Sequence, residues 1–169
     1  SNDVKGPLDQ LSRKRSALMK RVKSEVKKDF DRLEAIVQKS TERGLLDKDV
    51  AESLMSAVGE VRENALRRLD ALTGTFAEIK QMWLDAYERV RSALSEVIGP
   101  VGALIWAKTV EALRGRDHIR YDELVGVLAQ DGEIREVLEE QGTEEMEKSI
   151  EEELEELVKH GYLIKLIRM

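Results

Sequence analysis

The sequence predicts a mostly α-helical protein, with a long N-terminal helical hairpin or bundle over residues 1–99 and a smaller domain with a short β-sheet over residues 100–169. Three observations lead to this fold class. Charged residues make up 37% of the chain and prolines number only two, a composition that favours helix. Apolar residues recur at helical spacing through most of the chain. The last eight residues, "YLIKLIRM", alternate in the manner of a strand.

Composition limits the classes of protein to consider. A chain of 169 residues with 41% hydrophobic residues is long enough to bury a core. It contains no cysteine, which excludes a disulfide scaffold, a thiolate zinc site and a cysteine nucleophile and favours a cytoplasmic location. High charge without cysteine is typical of many thermophile proteins. No run of 18 apolar residues is present, so we expect no transmembrane segment. The opening "SND" is compatible with a protease-site remnant, which would make the chain part of a longer protein.

The first helix is predicted over residues 8–41. Pro7 suits the first turn of a helix and Gly44 suits the position just after its end. The apolar residues between them follow spacings of three and four, which is one face of a helix: Leu18, Val22, Val26, Phe30, Leu33 and Val37.

The second helix is predicted as one long element over residues 48–98, because its apolar stripe keeps one phase. The stripe runs from Val50 to Val97 and averages about 3.6 residues per step. The alternative is a break at residues 73–75, "TGT", which would produce a compact three-helix bundle. If the helix is continuous, its stripe outruns the first helix and needs a cover. Either the smaller C-terminal domain folds back over it or a second chain packs there, and we favour a homodimer.

Further helices are predicted after Gly99. Pro100 suits a helix start, and the following helix places Ala103, Trp106 and Ala107 on one face. The stretch "YDELVGVLAQDG" predicts a short helix, and residues 143–160 predict another that ends before Gly161.

This order of elements resembles the winged-helix fold of the helix-turn-helix superfamily. The stretches that carry the resemblance are "IRYDELVGVLA" and "LEELVKHGYLIKLIRM". The resemblance implies that residues 162–169 pair antiparallel with residues near His118–Arg120. Two departures accompany it: residues 131–142 form a long insertion, and the chain stops before a second wing strand.

Charge is distributed unevenly along the chain, whose net charge is −6. Residues 131–157 hold thirteen acidic and two basic residues, a net of −11, and residues 11–28 hold eight basic residues and one acid, a net of +7. The eight cations are candidate contacts to phosphate or to another anionic partner: Arg13, Lys14, Arg15, Lys20, Arg21, Lys23, Lys27 and Lys28.

Several uses of this basic helix stay open. It could follow a nucleic-acid backbone, or lie on an anionic membrane with an apolar side made by Leu8, Leu11, Leu18, Met19 and Val22. It could also be a solvated face, or one that pairs with acidic protein surface. The winged-helix resemblance would place helix 143–160 against DNA, but its many glutamates would be repelled by phosphate.

No group of residues suggests catalysis, a cofactor or a metal. His160 follows Glu156 by four residues, His118 has no obvious partner, and no glycine-rich phosphate loop is present. The leading hypothesis is a non-enzymatic protein–protein interaction or scaffold protein that uses the hairpin and the acidic winged-helix-like domain. The alternative is a nucleic-acid-associated regulator of transcription or chromosomes that binds phosphates through the basic helix 8–28.

Overall fold

The computed structural model of this chain describes residues 7–71 and 74–166. Within the first helix, side chains are described at Gln10 and from Arg13 onward. The described residues form six α-helices: α1 (Pro7–Glu42), α2 (Lys48–Asp70), α3 (Phe76–Ala112), α4 (Tyr121–Gln130), α5 (Gly132–Glu140) and α6 (Met146–Lys159). The predicted helical character is therefore confirmed.

Helix α1 agrees with its predicted bounds within a residue at either end. It ends because Gly44 adopts a positive φ of 75°, a conformation that costs glycine little. After this turn, the backbone N–H groups of Leu45 and Leu46 both donate to the carbonyl of Ser40. Leu45 and Leu46 are buried beneath this turn, which sets α2 antiparallel to α1.

The prediction of one continuous helix over residues 48–98 is wrong, and the alternative three-helix arrangement is confirmed. Helix α2 ends at Asp70 and α3 begins at Phe76, while residues 72 and 73 lie outside the described part. The side chain of Thr75 accepts a hydrogen bond from the Glu78 N–H, which caps a new helix. Because α3 folds back along α2, most described residues of the apolar stripe are covered, although Val50, Phe76 and Val97 are exposed. The continuous uncovered stripe that suggested a homodimer therefore does not form among the described residues.

Helix α3 bends at Gly99, where φ is 79° and ψ is 166°. That conformation is almost exclusive to glycine. Pro100 follows and has no N–H to continue the helical ladder. Helix α3 contacts every other helix of the described part: its first segment, residues 76–98, bonds to α1 through Trp83, and its second, residues 100–112, bonds to α1 through Trp106 and to α5 through Lys108.

The C-terminal helices α4, α5 and α6 pack around the second segment of α3. The N-cap of α5 is Asp131, whose side chain accepts the N–H groups of Glu133 and Ile134. Lys108 of α3 lies 3.3 Å from Asp131 and 3.2 Å from Glu133. Burial by itself would lower the pKa of Lys108, but these two carboxylates outweigh it and raise the pKa. Lys108 therefore ties the start of α5 to α3.

The predicted β-sheet, and with it the winged-helix-like domain, is wrong for the part of the chain that the structure describes. No strand occurs in residues 7–71 or 74–166, and the predicted strand from Ile167 onward lies outside them. Gly161, with a φ of 79°, turns the chain so that the N–H groups of Tyr162 and Leu163 bond to the carbonyl of Leu157. These bonds extend the cap of α6 and use donors that a sheet would need.

The segment after this cap lies against α6 and the first residue of α4. Lys165 reaches Glu155 at 3.0 Å and lies 4.7 Å from the centre of the Tyr121 ring. No described backbone hydrogen bond joins residues 118–120 to residues 162–166, so the predicted antiparallel pairing is wrong for these residues. Side-chain contacts hold the tail here, and a single short segment is too little to make a sheet.

Two tryptophans join α1 to α3, one at Asp29 and one at Ser40. The Trp83 indole donates to the backbone carbonyl of Asp29 at 2.9 Å. The buried Trp106 indole donates to the Ser40 hydroxyl at 2.7 Å. Because Trp83 and Trp106 lie on either side of the Gly99 bend, α1 is attached to both segments of α3.

Candidate anion-binding face

The N-terminal part of α1 extends past the end of the bundle. The Lys23 ammonium pairs with Asp70, the last residue of α2, and marks the level at which α2 ends. We call residues 7–22, which precede this level, the arm. Its described side chains from Arg13 to Arg21 are exposed except for half-buried Met19. The arm is about 24 Å long at 1.5 Å per residue, so most of it extends past α2, although Arg15 and Lys20 line a recess that reaches Leu69 and Asp70.

Six of the eight predicted cations share one side of α1. They form three neighbouring pairs separated by seven residues. Seven residues are nearly two turns of a helix and advance about 10.5 Å, so the pairs line up along one side. We call this set the basic face: Arg13, Lys14, Lys20, Arg21, Lys27 and Lys28.

The basic face points away from the protein core. At 3.6 residues per turn its cations span roughly 140° of the helix, centred opposite the buried residues Val26, Phe30 and Leu33. All six side chains are exposed. Among the described side chains, a carboxylate within ion-pair distance is found only for Lys28, which lies 3.7 Å from Glu25. The positive charges are therefore largely available to an outside partner.

The other two predicted cations do not belong to this face. Lys23 is occupied by Asp70. Arg15 lies on the opposite side of the arm by helix geometry and lines a shallow recess with Met19 and Leu69, which Lys20 of the basic face also lines. The seven-residue spacing of the pairs is visible in the sequence and would have distinguished the six cations of the basic face from Arg15 and Lys23.

Exposed acidic side chains are carried by the C-terminal helices. Six exposed glutamates of α5 and α6 have no ion-pair partner among the described side chains. We call this set the acidic face: Glu136, Glu139, Glu140, Glu147, Glu151 and Glu152. Phe76 and Gly99, which bound the first segment of α3, are about 35 Å apart along that helix. The arm lies beyond the first and the C-terminal end of α6 lies beside the second, so the arm and that end of α6 are well separated.

A recess of about 270 Å³ lies between the bend of α3 and the C-terminal end of α6. Gly102, Glu153 and Tyr162 are among the residues that line it. Burial, with added repulsion from Glu156 and Glu152, raises the pKa of Glu153. The surroundings of this carboxyl group therefore favour its protonated form.

The two histidines lie apart. His118 is exposed, and His160 lies 3.3 Å from Glu156 on the last turn of α6. Within residues 7–71 and 74–166, no three His, Asp or Glu side chains are placed to hold one metal ion. By length and composition, α3 could cross a membrane, but half of its most apolar stretch is buried inside the protein. Core helices often have this property.

Comparisons with known proteins provide no relative from which a function could be transferred. No protein-family model matches the chain. Neither a curated protein nor a solved structure is significantly similar to it. The function is therefore inferred from the two charged faces and their surroundings.

Proposed function

We propose that this chain is a non-enzymatic interaction protein that binds the phosphate backbone of nucleic acid through the basic face of α1. The observation that carries the proposal is the alignment of three exposed cation pairs on the side of α1 that faces away from the core. Lys and Arg at such positions bind nucleic acid by releasing condensed counterions, a driving force that increases with each phosphate neutralised.

The expected binding has little sequence preference. The positions between the cation pairs on this face are Ala17 and Ser24, and neither side chain is long enough to reach base edges from a helix that lies on the backbone. Contacts to phosphate position a protein on the duplex, whereas contacts to base edges specify a sequence. We therefore expect similar affinity for unrelated duplexes of equal length.

An anionic membrane fits this helix less well. In a helix that lies in a bilayer surface, the apolar side enters the acyl region. The arm's partly exposed apolar side chains, Leu18 and Met19, point towards the core side of α1, and the basic face is centred opposite. Entry by the apolar side would therefore hold most of the cations away from the headgroups. Leu8 and Leu11, which the sequence also assigned to this side, lie outside the described side chains.

The test is a titration of a labelled duplex, followed by fluorescence anisotropy at about 50 mM and 200 mM salt. One variant reverses four charges of the arm: Arg13→Glu, Lys14→Glu, Lys20→Glu and Arg21→Glu. A matched control reverses four exposed cations elsewhere and has the same net charge: Arg43→Glu, Lys48→Glu, Arg89→Glu and Arg114→Glu.

The wild-type chain and the control are expected to bind, with affinity that falls steeply as salt increases, and the arm variant is expected to lose binding. Equal loss in both variants would mean that net charge alone is responsible, and the basic face would not be a site. Binding to vesicles with anionic lipid, without binding to duplex, would favour a membrane surface instead.

A second candidate is the scaffold function that the sequence suggested first, with a protein as partner. The acidic face favours it, because six exposed glutamates without described counter-ions are suited to a basic protein surface and repel nucleic acid. Capture of the acidic face by basic proteins, in an assay where the arm variant behaves as the wild type, would support this candidate.

A further inference from the structure

We propose that the acidic face of one copy of this chain docks on the basic face of another copy. We also expect self-association and nucleic acid to compete for the same cations, and this second part of the inference rests on the proposed function. The partner is thus a second copy of this chain, joined head to tail through two different surfaces.

The first support is the match of charge between two surfaces that the chain itself carries. The segment 11–28 has a net charge of +7 and the segment 131–157 has a net charge of −11. Most of the side chains responsible are exposed and have no described ion-pair partner. Complementary charge steers encounter and selects the register of a contact.

The second support is that the cations of the arm lie away from the acidic helices of the same chain. The arm projects past the level at which α2 ends, whereas the C-terminal end of α6 lies beside the Gly99 bend, and no described ion pair joins the cations of the basic face to α5 or α6. The Debye length at physiological salt is about 8 Å, so charges much further apart than this are screened from each other. Neutralisation of the arm is therefore expected from a second molecule.

The third support is the match of length. Helix α6 has 14 residues and is about 21 Å long, and the cation pairs from Arg13 to Lys28 extend over about 22 Å. Along α6, Glu147, Glu151 and Glu155 follow one another at four-residue spacing and form one row of about 12 Å on the helix surface, in which Glu155 also pairs with Lys165. Two helices of this length can lie side by side, with the row of glutamates facing part of the row of cation pairs.

The surfaces are different, so the contact is heterologous. Such contacts leave one basic and one acidic face unused at the ends of each assembly unless a ring closes. Wild-type protein is expected to form a series of sizes that grows with concentration. Duplex nucleic acid binds the basic face and is expected to dissociate these assemblies as it is added.

The experiment measures molar mass by sedimentation velocity with the full chain at low and physiological salt. The arm variant described above reverses four of the six cations of the basic face. A second variant reverses four of the six glutamates of the acidic face: Glu147→Lys, Glu151→Lys, Glu152→Lys and Glu139→Lys. Each variant alone is expected to be monomeric, because its two faces then carry net charge of the same sign. An equimolar mixture is expected to associate, because the unchanged faces of the two variants match and their reversed faces are again of opposite charge. Circular dichroism of each variant checks that both keep their helical content.

The expected association constant of the wild-type chain falls about tenfold or more between 50 mM and 200 mM salt, since several ion pairs form. A monomeric wild type at low salt would overturn the inference, and so would association that survives reversal of the arm. If self-association follows this pattern but duplex does not bind or compete, the docking stands and the nucleic-acid function fails. If duplex binds a chain that stays monomeric, the proposed function stands and the docking fails.

Discussion

The buried hydrogen bond between Trp106 and Ser40 permits a quantitative test of how α1 is joined to the second segment of α3. Trp106 is 2% exposed and Ser40 is fully buried. The indole N–H donates to the Ser40 hydroxyl at 2.7 Å, and that hydroxyl donates in turn to the carbonyl of Ile36. Ser40→Ala leaves the indole N–H without a partner in the core. We expect a loss of about 1–3 kcal/mol in the free energy of unfolding, the cost of a stranded buried donor.

A second background isolates this cause. In a Trp106→Phe chain there is no indole donor to strand, so Ser40→Ala is expected to cost about 0.5 kcal/mol or less. The control is Thr41→Ala. Thr41 also donates to the carbonyl four residues earlier, that of Val37, but receives no described bond from another helix. We expect Thr41→Ala to change stability by no more than about 0.5 kcal/mol.

The assay is unfolding in urea, followed by far-UV circular dichroism, with the midpoint and slope compared among the variants. The reasoning is refuted if Ser40→Ala costs the same with Trp106 as with Phe at that position. It is also refuted if Ser40→Ala and Thr41→Ala are indistinguishable, because both would then report only the loss of a local hydroxyl bond.

Three further predictions concern the salt dependence of duplex binding, two glycines and the pKa of Glu153. Six phosphate contacts imply a slope of about −5 in log K against log salt for duplex binding, and Lys20→Ala with Arg21→Ala should reduce it by about 2. Gly99→Ala should cost about 1–3 kcal/mol, because its φ and ψ suit only glycine, whereas Gly59→Ala, in open space within α2, should stabilise by about 0.5–1 kcal/mol. Both are measured by thermal or urea unfolding. The raised pKa of Glu153 means that the native chain holds this proton more tightly than the unfolded chain, so stability falls as pH rises from 4.5 through the native pKa. Glu153→Gln should therefore raise the midpoint of thermal unfolding at pH 7, with a gain that vanishes below pH 4.5, and an equal gain at both pH values would contradict this.

The helices themselves were largely predictable from local pattern. The spacing from Leu18 to Val37 identified α1, and Pro7 and Gly44 placed its ends. The bend at Gly99 followed from the chemistry of a glycine before a proline. In each case the cause acts within a few residues, through steric limits on φ and ψ or through the hydrogen bonds of a helix end.

The two wrong predictions arose where local pattern permitted more than one structure. The apolar phase from Val50 to Val97 is the same for a straight helix and for two helices that fold on each other, and the cap at Thr75 decided between them. The alternation of "YLIKLIRM" suits a strand. A strand also needs a partner, and the cap at Gly161 directs the N–H groups of Tyr162 and Leu163 to Leu157 instead.

For the candidate site, the sequence established which residues are charged and, through the seven-residue spacing of the cation pairs, which of them share a side of α1. Exposure and separation came only from the tertiary structure. The end of α2 at Asp70 leaves most of the arm beyond the bundle, and the bend of α3 at Gly99 receives the C-terminal end of α6. Sequence determines local geometry because steric limits on φ and ψ and the hydrogen bonds of helix ends act between near neighbours. The position of one charged surface relative to another depends on how entire helices pack, which is decided by burial summed over the core.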